Sequence, residues 1–306
     1  MAGPAFEYVL PLEDWIQIGV EWVVDHWRPF FQAVRWPIEQ TLDGMEGFLL
    51  DVPFPVFLVT LGLLAWRAAG WRVAAFSVSA MFFIGLIGLW DQSMTTLAMI
   101  FTALVFNVAV GVPLGLTAGR NDRFWSILRP VLDVMQTTPS FVYLVPVVML
   151  FGVGTVPGVI ATIIFSVAPV IRMTNLGVRQ VPVAVVEAGQ AFGATGWQLL
   201  RDIQMPLALS TIMAGLNQTL LLGMVMGTIA SMIGAEGLGL TVLRGIGRLD
   251  VGLAAIGGLS IVLMAMVLDR ITQALGQPVR HAGPQARTFS ARLKQAVFGT
   301  GRIHRT

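Results

Sequence analysis

Charged residues in this chain are sparse enough that the gaps between them can be read as structural units. Uncharged, mostly apolar runs occupy 52–66, 73–90, 92–119, 134–171, 203–235 and 251–268. A bilayer's hydrocarbon core is about 30 Å thick and needs about 17 to 25 helical residues to cross it, so each run predicts a membrane helix. The 134–171 run has 38 residues, about 57 Å as one helix, and must turn back on itself. "GVGTVPG" at 152–158 supplies that turn through Gly152, Gly154 and the Pro157-Gly158 pair. The pattern thus predicts an all-α polytopic membrane protein with about seven transmembrane helices. The first run is the shortest, and relies on Arg67 snorkelling and on Trp66 and Trp71 as interfacial aromatics.

Composition agrees with the pattern. A chain that is 56% hydrophobic and 12% charged, with mean hydropathy +0.77, is too apolar for a soluble domain. Charge distribution adds an orientation. Residues 1–51 carry nine acids against Arg28 and Arg35, whereas Arg67, Arg72, Arg120, Arg123 and Arg129 follow on alternate turns, and Arg270 to Arg305 crowd the carboxyl tail. An outside amino terminus with seven spans places these basic segments, and the carboxyl terminus, in the cytoplasm, as the positive-inside rule requires. The start, "MAGPAFEYVLPLEDW", lacks a basic region followed by an apolar core, so no cleavable signal is expected. Before the first run, "DWIQIGVEWVVDHWRPFFQAVRW" mixes Trp15, Trp22, Trp27 and Trp36 with recurring acids. This is the pattern of a helix lying on a membrane surface, ended by Pro29, and not that of a compact aromatic cage for a cation.

Several chemistries lack their residues. There are no cysteines, so disulfides and thiolate metal sites are out. His26, His281 and His304 are scattered, without the spacing of a metal site. Lys294, the only lysine, is followed by Gln295 and cannot belong to a Gly-Lys-Ser/Thr phosphate loop. The basic tail reads as a segment at the inner leaflet, and nothing points to nucleic acid. Asp91, Asp133 and Arg172 stand at run boundaries, so the runs hold no ionisable relay of the kind ion-coupled carriers use. A path through these runs is therefore expected to carry no fixed charge.

One polar stretch interrupts the membrane pattern. In "EAGQAFGATGWQLLRDIQMP", Glu187 to Pro206, Pro182 suits the start of a helix and Gly193 its left-handed end. Thr195 and Gln198 form a capping box that starts a second helix. The spacing Glu187-Ala188, Gly193, then Ile203-x-Met205-Pro206 resembles the cytoplasmic "EAA" loop of binding-protein-dependent ABC importer permeases. Gly189 stands for the second Ala of that signature and Met205 for its Leu. "LDVMQTTPSFVYLVPVVMLFGVGTVPGV", "TIMAGLNQTL", "IASMIG" and "GLGLTVLRGIGRLD" extend the resemblance to the glycine betaine/proline betaine, ProU-type branch. Glu236 falls where a small residue is expected.

The resemblance implies a type I ABC importer permease core and a particular organisation. An acidic extracytoplasmic segment with an interfacial helix (1–51) precedes two accessory membrane helices (52–91). The core follows at about 92–275, including a coupling loop at 180–206, and a basic cytoplasmic tail completes the chain (276–306). It implies a second copy of the chain, two cytoplasmic ATP-binding subunits that carry the ATP and magnesium, and an extracytoplasmic substrate-binding protein. Glu187, Ala188, Ala191, Gly193, Ile203, Met205 and Pro206 become the expected ATPase-coupling residues. No cofactor is expected in this chain, and no catalysis. The expected cargo is glycine betaine or a related quaternary-ammonium or proline-type osmoprotectant, with choline or carnitine as alternatives and an ion-coupled secondary transporter as the rival class.

Polar side chains inside spans tend to face a cavity or a neighbouring helix. That nominates Gln136, Thr137, Thr138, Asn217 and Gln218 for the translocation path, with Asn107 and Thr219, against the alternative of interhelical hydrogen bonding. Gly111, Gly115 and Gly119, spaced by four, predict close helix packing.

Overall fold

The computed structural model describes residues 11–276; the expected basic tail, apart from its first residue, and the first ten residues lie outside the described region. Twelve α-helices follow in order: α1 (Leu12–Asp51), α2 (Phe54–Ala69), α3 (Trp71–Leu86), α4 (Trp90–Arg120), α5 (Asp122–Thr137), α6 (Leu144–Phe151), α7 (Thr155–Arg179), α8 (Val183–Ala191), α9 (Gly196–Gln198), α10 (Met205–Ile229), α11 (Leu238–Gly247) and α12 (Val251–Gly276). Short 3-10 turns at Ser140–Tyr143 and Ala230–Ile233 and a π-helical turn at Leu199–Gln204 join some of them.

Helix α7 is the centre of the core, packed against α4 on one side and α10 on the other. Small residues make these approaches possible. A Cβ at Gly111 would collide with Val170 Cγ1, and one at Gly115 would lie 2.5 Å from Thr174 Cβ and 2.7 Å from the Ile171 carbonyl. Gly119 faces Val178 in the same way, so the glycine stripe is a packing surface as its spacing predicts. On the other side, Gly215 of α10 lies against Met173 and the Pro169 carbonyl, and Gly177 against Ala208.

Among the described residues four helical rods are long and apolar enough to cross a membrane: Trp90–Arg120, Thr155–Arg179, Gly196–Ile233 and Val251–Gly276. The remaining runs take other forms. Runs 52–66 and 73–90 become α2 and α3, a hairpin of two 16-residue helices. The first half of the long run belongs to a helix bent by 109° between Asp122–Thr137 and Ser140–Phe151, and Gly152 and Gly154 then turn the chain with φ of 84° and 125°. A second bent pair, Gln17–Asp51 with Phe54–Ala69, turns by 104°, and counting each bent pair as one span gives up to six among the described residues, against the seven that the runs predict.

Two expectations need correction. Pro29 does not end the amino-terminal helix: α1 continues through both Pro29 and Pro37. Each proline forfeits one backbone bond, but side-chain packing holds the helix beyond them. Phe31 meets Phe151 edge on at 5.5 Å, Arg35 donates to the Phe151 carbonyl, and Ile38, Leu42 and Leu49 join the main core. The second half of α1 is therefore a packed element and not only a surface anchor. Its tryptophans are exposed; Trp22 stacks on His26 and Trp27 meets Phe30, and no two of the four pair with each other among the described residues. The second correction concerns charge. Arg172 lies inside α7 and Asp269 inside α12, because both helices outlast the uncharged runs that announced them.

Candidate coupling site and translocation path

The two ends of the core differ in chemistry. At one end, Glu46 accepts from Thr95 (2.6 Å), Leu238 N–H donates to Thr96 Oγ1 (2.9 Å) and Glu236 N–H to Thr155 Oγ1 (3.3 Å). A polar cavity of about 260 Å³ lies here, lined by Asp91, Gln92, Thr95, Glu236, Thr241 and Arg244. Glu236 thus stands on the wall of a charged recess, beside Gly237, whose φ of 104° and closeness to Thr96 Oγ1 admit no side chain.

The opposite end gathers basic residues. Arg179 binds Asp122 at 2.7 Å, the Ala118 carbonyl at 2.9 Å and Asn175 at 2.8 Å, so that the ends of α4 and α7 and the start of α5 meet. Arg120 donates to the Gly196 carbonyl at 2.9 Å, and this bond ties the 183–206 element to the end of α4.

That element is built by local signals. Pro182 precedes α8, and Gly193 closes it with φ of 79° while its N–H donates to the Gln190 carbonyl. Ala194 N–H returns to the Gly189 carbonyl at 3.0 Å, as in a Schellman-type end. The capping box is complete: Gln198 N–H donates to Thr195 Oγ1, and Thr195 N–H to Gln198 Oε1 at 2.8 Å. The second helix then runs unbroken into the membrane core. Pro206 has no N–H for the Asp202 carbonyl; just before it the Met205 N–H reaches back five residues to Leu200, and the π-helical turn carries the rod past.

Of the seven expected coupling residues, Glu187, Ala188, Ala191 and Gly193 are exposed on the first helix and its reversal. Ile203 and Met205 are half-buried. Ile203 lies under α8, where a Cβ at Gly189 would meet its Cδ1 at 2.6 Å, and Met205 packs on the small cluster of Val178, Ala208 and Ile212. Pro206 sits in the first turn of α10. Two further residues were not singled out by sequence. Phe192 is 93% exposed and Trp197 67% exposed, one on each side of the Gly193 reversal. Large apolar side chains beside a left-handed glycine, outside the apolar runs, were the available signal. Uncovered aromatic rings on a short rigid helix pair suit a partner's apolar groove.

The path candidates separate into three situations. Asn107 is buried and donates to Ser166 at 2.8 Å, joining α4 to α7, and Thr219 is likewise buried. Asn217 donates to Asp269 at 2.9 Å and accepts from Thr272, joining α10 to α12. Interhelical hydrogen bonding therefore accounts for these bonds. Gln136 and Thr137 are exposed and Thr138 half-buried at the bend after α5, where both threonine hydroxyls donate to the Val134 carbonyl; Gln218 is exposed on α10. Among the described residues no cluster of three histidines or acids converges to hold a metal.

Comparison with known proteins accords with this geometry. Residues 111–281 match the family described as binding-protein-dependent transport system inner membrane component. The glycine betaine/proline betaine transport system permease protein ProW of Escherichia coli is 51% identical over 92% of this chain and 79% of that protein. The glycine betaine/carnitine transport permease protein GbuB of Listeria monocytogenes is 40% identical over 89% of this chain and 97% of its own. The glycine betaine transport system permease protein OpuAB of Bacillus subtilis is 39% identical over 86% and 94%. Among solved structures, the inward-facing MetNI methionine ABC transporter superposes with a TM-score of 0.52 at 21% identity, over 64% of this chain and 97% of that one. The fold is thus that of an ABC importer permease, and the chain belongs to the family of binding-protein-dependent transport system inner membrane components.

Proposed function

We propose that this chain is the membrane subunit of an ATP-driven importer that carries glycine betaine, proline betaine or a related osmoprotectant into the cell. The observation that carries the cargo is the similarity, at 51% identity across nearly the whole chain, to a glycine betaine/proline betaine permease. Carnitine is the second reading, favoured by the GbuB relative and by a carnitine permease 33% identical over 58% of this chain. Membership in the family brings two kinds of partner, an ATPase and a substrate-binding protein.

In this reading two copies of the chain enclose the path and two ATPase subunits dock on the basic end. ATP and magnesium are held by the ATPase, and this chain performs no catalysis. The basic end, with Arg67, Arg72, Arg120 and Arg179, faces the cytoplasm, and the acidic recess near Asp91 and Glu236 faces outward, towards the binding protein. The 1–51 segment and the α2–α3 hairpin are accessories to the core.

The 183–206 element is the coupling device. Phe192 and Trp197 enter an apolar groove on the ATPase, while Glu187 offers a charge to a basic partner residue. Because the second helix is continuous with α10 and its carbonyl at Gly196 is held by Arg120, movement of the ATPase is transmitted as displacement of a stiff rod. Reconstitution of the whole complex in vesicles tests the function. Uptake of labelled glycine betaine should require both ATP and the binding protein, and uptake driven by an ion gradient without ATP would contradict the proposal.

A further inference from the structure

Helix α5 has three faces, and one of them fits neither lipid nor core. Trp125, Leu128, Leu132 and Met135 pack on Leu114, Val167, Ala168 and Ile171 of α4 and α7. Ile127, Val131 and Val134 form a second, apolar and exposed face. Between these two, Asp122, Ser126, Arg129, Asp133 and Gln136 recur at spacings of four, three, four and three, and all five are exposed. Such spacing aligns them in one stripe along the helix.

α5 is the first arm of the bent pair that is long and apolar enough to cross a membrane together with Ser140–Phe151, and the stripe runs inward along it. The Asp122–Arg179 pair sets the level of the basic end. From there Asp133 is eleven residues up α5, about 16 Å, and Arg172 is seven residues up α7, about 10 Å. Well inside the basic end on both helices, Arg172 Nη2 meets Asp133 Oδ1 at 2.5 Å, while Arg129 Nε stands 3.9 Å from Asp133 Oδ2. The Arg172 and Asp133 side chains are 32% and 51% exposed, and Arg172 Nε is buried without a partner. Charges at membrane depth belong beside water or a polar cavity, because lipid cannot solvate them. The stripe therefore marks the side of α5 that borders an aqueous space, and the Val134 side borders lipid or protein.

We propose that Arg129, Asp133 and Arg172 form a charged station on the translocation path, where a zwitterion exchanges partners with the Asp133–Arg172 pair. The carboxylate of the cargo meets the guanidiniums of Arg129 and Arg172 and its cationic end meets Asp133. The exchange leaves net charge unchanged and creates no unpaired ion. This assignment rests on the importer reading above, and it replaces the expectation of a path without fixed charge.

The test uses the complete transporter in lipid vesicles, and the cysteine-free chain makes single-cysteine variants clean. A membrane-impermeant trimethylammonium methanethiosulfonate should label Ser126→Cys and Gln136→Cys at least ten times faster than Val134→Cys. Equal rates would overturn the aqueous face. In the second arm, Arg129→Gln and Asp133→Asn should lower betaine uptake at least tenfold, with ligand-free ATP hydrolysis and the binding protein's affinity unchanged, and Asp133→Glu should recover much of the loss. Arg129 is 67% exposed, so Arg129→Gln decides the matter if Asp133→Asn does not assemble. Normal uptake by Arg129→Gln would overturn the station. A wild-type complex that carries no betaine while Gln136→Cys labels rapidly would instead overturn the cargo and leave the aqueous face standing.

Discussion

Gly189 and Ile203 touch where the two short helices at the basic end cross, and a Cβ built at 189 would lie 2.6 Å from Ile203 Cδ1. The family signature carries Ala at this position, so the glycine looks at first like a loss of helix stability of up to about 1 kcal/mol. The contact gives it a second meaning, since it lets the isoleucine seat against the α8 backbone. The obstructing atom is the far end of a flexible side chain. Gly189→Ala should therefore be tolerated with near-normal uptake, whereas Gly189→Leu should separate the helices and lower uptake several-fold. Uptake by the two variants in reconstituted vesicles checks this, and equal, normal uptake by both would show that the crossing has no functional consequence.

At Gly115 the obstruction is backbone and a branched side chain, because a Cβ would lie 2.7 Å from the Ile171 carbonyl and 2.5 Å from Thr174 Cβ. Gly115→Ala must push α4 off α7, and overpacking of this kind costs about 1–3 kcal/mol. Thermal unfolding of the detergent-solubilised subunit should fall by several degrees. Gly227→Ala, with nothing within 4 Å of the added carbon, should not lower it and, in a helix interior where alanine is favoured over glycine, can raise it slightly; it serves as the control.

Orientation is open to direct labelling. Asp43 is exposed on α1, three residues before Glu46, which binds Thr95 near the start of α4. Arg72 lies at the turn of the α2–α3 hairpin. In right-side-out vesicles Asp43→Cys should react with an impermeant thiol reagent from outside, and Arg72→Cys only after permeabilisation. The reverse pattern would invert the assignment of the two ends.

What could be read from sequence was what local chemistry decides. The capping box at Thr195 and Gln198, the left-handed Gly193 and the Gly152–Gly154 turn each depend on neighbours within a few residues, and each is found where expected. The stripe Gly111, Gly115 and Gly119 was legible because one helix face repeats every three to four residues. What failed were readings that treated a charge or a proline as a boundary. Arg172 and Asp133 bound the uncharged runs in sequence, yet they pair with each other between α5 and α7, so a tertiary contact keeps them within the bundle. Cutting the pattern at Asp133 also divided the polar stripe of α5 in two. Pro29 leaves α1 intact because the packing of Phe31 and Arg35 on Phe151 lies beyond the reach of any local window. Gly189 and Ile203 are fourteen residues apart, and only the reversal at Gly193 brings them together.

The central claim is that the 183–206 element transmits ATPase movement to the membrane core, and Gly193→Trp tests it most directly. Gly193 has φ of 79° and nothing within 4 Å of a built Cβ, so a side chain there meets no neighbour in this chain. It carries only the cost of the left-handed conformation, about 1–2 kcal/mol, at a site outside the packed helices. The variant should insert and pair with a second copy normally. ATP-driven betaine uptake by its reconstituted complex should fall at least tenfold, with ATP hydrolysis either absent through failed assembly or no longer stimulated by the loaded binding protein. Near-normal uptake, with the ATPase bound in ordinary amounts, would contradict the account and leave Glu187 to Pro206 an ordinary loop.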